Sequence, residues 1–147
     1  MTRINANLNV KCLTDQHLLA EHREIKRMCP HYLKRKSLNK FNDIPEFFTL
    51  NTGHMNFFLD KGKFTYERYM TIYEECRFRG LNASWYADNW KKAYSDGFHF
   101  NDWSARQIDN EKVKERIRER IINGKVVFRY YGKNISKGEA INLLNRD

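Results

Sequence analysis

Long stretches of this chain carry nothing that would interrupt a helix, because two prolines, Pro30 and Pro45, and seven glycines are all that 147 residues hold. Prolines stop or kink helices and glycines close them, so their scarcity predicts a mostly helical protein. Thr14 and Asp15 are good N-cap types. A first helix opening there turns Leu18, Leu19, His22, Ile25 and Met28 toward a core until Pro30 disfavours its continuation, with Glu21, Arg23, Glu24 and Arg27 on the other side. A second, from about Phe64 to Arg79, repeats Tyr69, Ile72, Tyr73 and Cys76 at helical spacing and stops at Gly80. A third, from about Asn110 to Ile122, sets Val113, Ile117 and Ile121 on one stripe and ends at Asn123 and Gly124. The stretch from Asn82 to Asp109 holds Trp85, Trp90 and Trp103 without a clear period and predicts an irregular connection packed by its aromatics. The expected fold is all-α, one compact domain over residues 1–147 built on three main helices, with residues 134–147 as a polar C-terminal tail.

Charge narrows the partner. The 27 Lys and Arg against 18 Asp and Glu leave +9, an excess that repels itself in a compact state and calls for a polyanion such as nucleic acid. The 3 Trp, 8 Tyr and 10 Phe are too many for a disordered basic tail. Cys12, Cys29 and Cys76 are odd in number, widely spaced and lack a CxxC, so they read as small buried hydrophobes. His17, His22, His31, His54 and His99 form no HExxH or paired ligand spacing, and no metal is expected. No run approaches the ~18 apolar residues of a membrane span, and MTRINANLNV lacks the apolar core of a signal peptide, so a soluble cytoplasmic protein with no membrane partner is expected.

Several groups could carry chemistry. Lys112, Arg116 and Arg120 follow at i,i+4 on the third helix, where like charges disfavour an isolated helix and a phosphate backbone would relieve them; an ordinary solvated face fits as well. From Lys125 to Lys133, cations interleave with Phe128, Tyr130 and Tyr131, which suits stacked or unstacked bases but equally a strand-like core segment. Arg23, Glu24 and Arg27 read most simply as a surface ion-pair cluster. The start Met1-Thr2-Arg3 adds a second possibility. A small second residue predicts loss of the initiator methionine, leaving Thr2 with an α-amino group of pKa ~7.7–8.0 against ~10.4 for lysine. At neutral pH the nucleophilic fraction is then about 14% against about 0.04%. Cations at Arg3, Arg23 and Arg27 would lower that pKa further.

MTRIN at the start, DQHLLAEHRE from Asp15 to Glu24 with Arg27 beyond, GHMNFFLDK from Gly53 to Lys61 and RYYGK from Arg129 to Lys133 closely resemble the phage pyrimidine-dimer DNA glycosylases, historically the ultraviolet-damage endonuclease V family. The four motifs occur in the family's order across most of the chain. The resemblance implies a compact helical domain and a metal-independent, cofactor-free DNA repair enzyme, a bifunctional glycosylase and abasic-site lyase acting on ultraviolet-damaged double-stranded DNA. It implies that the Thr2 amine attacks the sugar of the 5′ pyrimidine of a cyclobutane dimer, that Glu24 stabilises the cationic sugar and the imine, and that β-elimination then nicks the strand.

By the same resemblance Arg3, Arg23 and Arg27 bind phosphate and organise the site, while Arg116 and Arg120 lie where the third helix meets DNA. Gln16 and His17 fall beside the active site, and Arg129, Tyr131 and Lys133 belong to the DNA-contacting C-terminal segment. Arg120 replaces a lysine of the best-known member, and Val127 a tryptophan. Damage would be recognised as deformability, since a lesion that weakens stacking lowers the cost of expelling a base. A monomer is expected, in the cytoplasm of an infected bacterial host if phage-encoded. Two other readings use the same charge without the amine and carboxylate: a catalytically inactive basic helical protein that senses distorted duplex, and an RNA-binding module.

Overall fold

The computed structural model describes residues 3–146. An N-terminal arm, with Ile4, Ala6 and Leu8 fully buried and a turn at Ala6 and Asn7, leads from Arg3 to a short 3-10 turn, Val10–Cys12. Thr14 then caps α1, Asp15–Ile25, its hydroxyl oxygen accepting from the His17 N–H. Leu18, His22, Ile25 and Met28 face the core as expected. Glu21 does not face solvent: it is fully buried and paired with Arg68 of α4.

Pro30 does not end the first helical region. A second helix, α2, Met28–Ser37, contains it at the third position. The first N–H groups of a helix lack acceptors within it, so a missing N–H there removes no hydrogen bond. A four-residue helix, α3, His54–Phe57, follows Gly53, whose φ of +89° and 3.0 Å Cβ approach to Pro45 both favour glycine.

The long helices match the periodicity. The fourth, α4, Gly62–Phe78, ends before Gly80 at φ +74°, and the connection after it holds one short helix, α5, Asp88–Ala93. Trp90 is fully buried there, donating its indole N–H to Thr65 Oγ1 at 2.9 Å, while Trp103 packs edge-on against Phe57, Phe58 and Phe64. The sixth helix, α6, Gln107–Asn123, buries Val113, Ile117 and Ile121. Gly124 closes it for a steric reason rather than a left-handed turn: its φ is −71°, and a Cβ would lie 2.8 Å from the Arg120 carbonyl oxygen and 3.0 Å from the Phe128 ring.

The C-terminal segment departs most from expectation. Residues Phe128–Tyr130 (β1) and Lys133–Ile135 (β2) form an antiparallel hairpin around Tyr131 and Gly132 at φ +53° and +79°. The stretch expected as a polar tail continues through β2 into α7, Lys137–Leu144, with a Ser136–Glu139 capping box and with Ala140, Leu143 and Leu144 buried. The protein is mostly α, and its buried residues form one core. Among the described residues, no helix is long and apolar enough to cross a membrane.

Candidate active site

Three sets of contacts fasten the N-terminal arm. Arg3 Nε donates to the Leu50 carbonyl at 2.7 Å. The Ile4 N–H donates to His54 Nε2 at 3.0 Å, which puts the ring proton on Nδ1, where it reaches the Thr49 carbonyl at 2.7 Å. Asn5 donates its N–H and its side-chain amide to the two oxygens of Glu21, at 3.0 and 2.8 Å. Those oxygens also take a two-pronged guanidinium contact from Arg68, both at 2.9 Å, and Arg68 Nη1 holds the Leu8 carbonyl at 2.6 Å. Buried carboxylates need such saturation, because stripping water from a charge is costly unless every lone pair is met.

The arm so held places Arg3 between two cavities. One, of about 300 Å³, is lined by Arg3, Glu24, Arg27, Asn51, His54 and Asn56 among others. Glu24 is 7% exposed, and the 72% exposed side chain of Arg27 lies 3.6 Å from its Oε2. Arg23 projects into solvent from the same helix. The second cavity, about 20 Å³, is lined by Arg3, Asn5, His17, Arg116, Ile117 and Arg120 among others, with no carboxylate among its described lining residues. Burial, then repulsion from Arg116 and Arg3, lowers the Arg120 pKa. Asn51 accepts from Arg116 Nη2 at 3.2 Å and lines the Glu24 cavity, bridging the two.

Both histidines of this region are neutral. Burial pushes His17 down to about 4, with the Arg120 charge adding to it. Its Nδ1 lies 2.8 Å from Thr14 Oγ1, and its ring stacks on Phe128 at 5.5 Å. Burial likewise takes His54 to about 4, against a raising contribution from its Thr49 contact.

Of the residues singled out from sequence, Arg3, Glu24, Arg27, His17, Arg116 and Arg120 therefore converge. Thr2 lies outside the described residues. Gln16, Arg129, Tyr131 and Lys133 line neither cavity. The Gln16 amide donates to the Val127 carbonyl at 2.7 Å and accepts from the Arg129 N–H at 3.0 Å, fastening the hairpin to α1. Tyr131 donates its N–H to Asp15 and its hydroxyl to Glu75, at 3.0 and 2.7 Å, and the buried Arg79 guanidinium lies 4.7 Å from the Tyr130 and Tyr131 rings while pairing with both carboxylates. Asp15 and Glu24 stand at opposite ends of α1, about 14 Å apart at ~1.5 Å per residue. Arg129 and Lys133 are exposed on the hairpin.

Three contributors escaped the sequence. His54 sits in the GHMNFFLDK motif, and only the fold shows it touching the arm. Asn51 carried no signal. Glu21 looked like one more surface carboxylate beside Arg23 and Glu24.

With this geometry, a carboxylate shielded from water, a cationic wall and an arm fastened from Arg3 onward, the arrangement suits chemistry on a phosphate-bearing substrate that develops positive charge. A family model described as pyrimidine dimer DNA glycosylase matches residues 1–87 of the chain, from the arm through α4 and the loop after it.

Proposed function

The chain belongs to the pyrimidine dimer DNA glycosylase family, and from that premise we propose that it works as a bifunctional glycosylase and abasic-site lyase whose nucleophile is the Thr2 α-amine. In this reaction the amine nitrogen bonds to C1′ of the 5′ pyrimidine of a dimer as the C1′–N1 bond breaks and the base takes up the proton. The sugar ring opens to a protonated imine, which acidifies C2′. Loss of a C2′ proton expels the 3′ phosphate and cuts the strand. Glu24 faces the cation through these steps and moves the proton. Arg3, Arg116 and Arg120 hold the flanking phosphates, and Arg27 steadies Glu24.

The observation that carries this reading is the burial of Glu24 in a cavity that Arg3 also lines. Consecutive Cα atoms lie ~3.8 Å apart, which bounds how far the proposed nucleophile can stand from Arg3. Gln16, Arg129 and Lys133 contribute at the hairpin end, where exposed cations extend the surface along a duplex. Tyr131 supports that surface from its place on the Arg79 network.

Borohydride trapping on a duplex with one abasic site, in EDTA, tests the reading. Protein lacking Met1 is expected to form a covalent adduct through its terminal amine, and Glu24→Gln to keep its affinity for dimer-containing duplex while losing most incision. No adduct from the wild type leaves a protein that binds damage without processing it. Parallel loss of binding and incision in Glu24→Gln would make Glu24 part of a structural ion pair.

A further inference from the structure

We propose that His54 is a positioning residue for the amine chemistry, acting through one atom, Nε2, on the backbone of the arm. The inference rests on the terminal-amine reading above and adds to it the device that sets the arm's position.

The ring is held on every side. Phe48 and Phe58 meet it edge-on, with ring centroids at 5.6 and 5.4 Å, and Nδ1–H is fixed on the Thr49 carbonyl at 2.7 Å. Gly53 makes the turn that delivers it, in a conformation side-chain-bearing residues rarely adopt. A ring constrained this way presents Nε2 as a stationary acceptor, and its partner is the N–H of Ile4, one residue beyond Arg3. The other side of the same imidazole ties down residue 49, next to Leu50, whose carbonyl receives Arg3 Nε. One side chain thus couples the arm to the loop that also carries Asn51. Protonation on both nitrogens would turn the acceptor into a donor facing another donor, and burial keeps the ring neutral.

Mere packing does not require this polarity, so the two functions of the ring can be separated. Asparagine places its polar atoms near the site of Nδ1 and can keep the Thr49 bond; glutamine places them near Nε2 and can accept from Ile4. Each variant gives up one buried hydrogen bond, so their stabilities should fall together, whereas the amine chemistry should not. A misplacement of about 1 Å can reduce rate on the order of 100-fold.

The experiment compares wild type, His54→Asn and His54→Gln, all lacking Met1, by single-turnover borohydride trapping on an abasic duplex, with duplex affinity and thermal unfolding measured alongside. His54→Asn is expected to trap at least about tenfold more slowly with affinity within about threefold of wild type, and His54→Gln to recover most of the rate. Equal rates for the two variants at equal stability would overturn the assignment, as would a His54→Asn protein that does not fold, since the ring would then serve the scaffold. A wild type that traps nothing would instead remove the terminal-amine reading on which this inference stands.

Discussion

Replacing Arg68 with methionine keeps much of the side-chain volume and removes the guanidinium, leaving the fully buried Glu21 carboxylate, among the described residues, with its two contacts from Asn5. The Leu8 carbonyl loses its donor in the same step. Breaking a buried ion pair by removing one partner costs about 3–5 kcal/mol, because the other charge stays behind without compensation. For a chain of this length ~2–4 °C accompanies each kcal/mol, so thermal unfolding followed by circular dichroism should show the midpoint falling by roughly 6–20 °C. The physical cause can be isolated by adding Glu21→Gln. In the wild-type background that change weakens the Arg68 contact and destabilises. In the Arg68→Met background it removes the stranded charge while its amide oxygen can still accept from Asn5, and should restore about 2 kcal/mol. The sign of one substitution thus reverses between backgrounds. If Glu21→Gln destabilises both, or if Arg68→Met costs less than about 1 kcal/mol, the buried-charge account is wrong. Because Asn5 lies two residues from Arg3, Arg68→Met should also slow incision more than it weakens duplex binding.

His17 and His54, both held near 4 against 6.5 in the ordinary state, bind fewer protons folded than unfolded between those values, so stability is full above about pH 6.5 and is lost as pH falls toward 4; a midpoint series over that range should fall less steeply for His54→Gln than for wild type. Arg116→Ala should weaken binding to damaged and undamaged duplex alike and reduce the salt slope of log K by about 1, read from fluorescence anisotropy at several salt concentrations. Gly124→Ala forces a Cβ against the Arg120 carbonyl and the Phe128 ring, and should cost about 1–3 kcal/mol in denaturant unfolding.

The elements legible from sequence were those whose signal is local. Periodic apolar residues gave α4 and α6 nearly to their ends, and Thr14 marked the start of α1. Pro30 misled because a proline's effect depends on its place in a helix, and the first turn tolerates what the interior does not. A strand-like reading of Lys125 to Lys133 stood open in the sequence and β1 bears it out in part, but the hairpin turn was hidden by a tyrosine at positive φ, a conformation held by Asp15 accepting from both Tyr131 and Gly132 N–H groups. The last helix did carry a readable mark, Ser136 three residues before Glu139. At the site, residue types suggested a carboxylate among cations, and Glu24 with Arg27 and Arg3 are indeed gathered around one cavity. What no local pattern could show was that Glu21, three residues earlier and chemically identical, is the structural one. The two-pronged pairing with Arg68, 47 residues away, decides that.

Arginine is used here in two opposed ways, and the difference explains how so basic a chain folds. Arg68 and Arg79 are buried and surrounded by carboxylates and carbonyls: Glu21 and Leu8 for the first, Glu75, Asp15, Leu13 and Val10 for the second. They contribute little outward field, and they tie the arm and the hairpin to α4. Arg3, Arg116 and Arg120 instead line one cavity together, where burial first, and then repulsion from Arg116 and Arg3, lowers the Arg120 pKa. Like charges gathered this way repel, and an anion laid against them relieves the repulsion. The same relief is unavailable to an uncharged ligand. The fold thus pairs Arg68 and Arg79 with carboxylates inside and gathers Arg3, Arg116 and Arg120 at one cavity, so the excess positive charge of the sequence becomes a property of position.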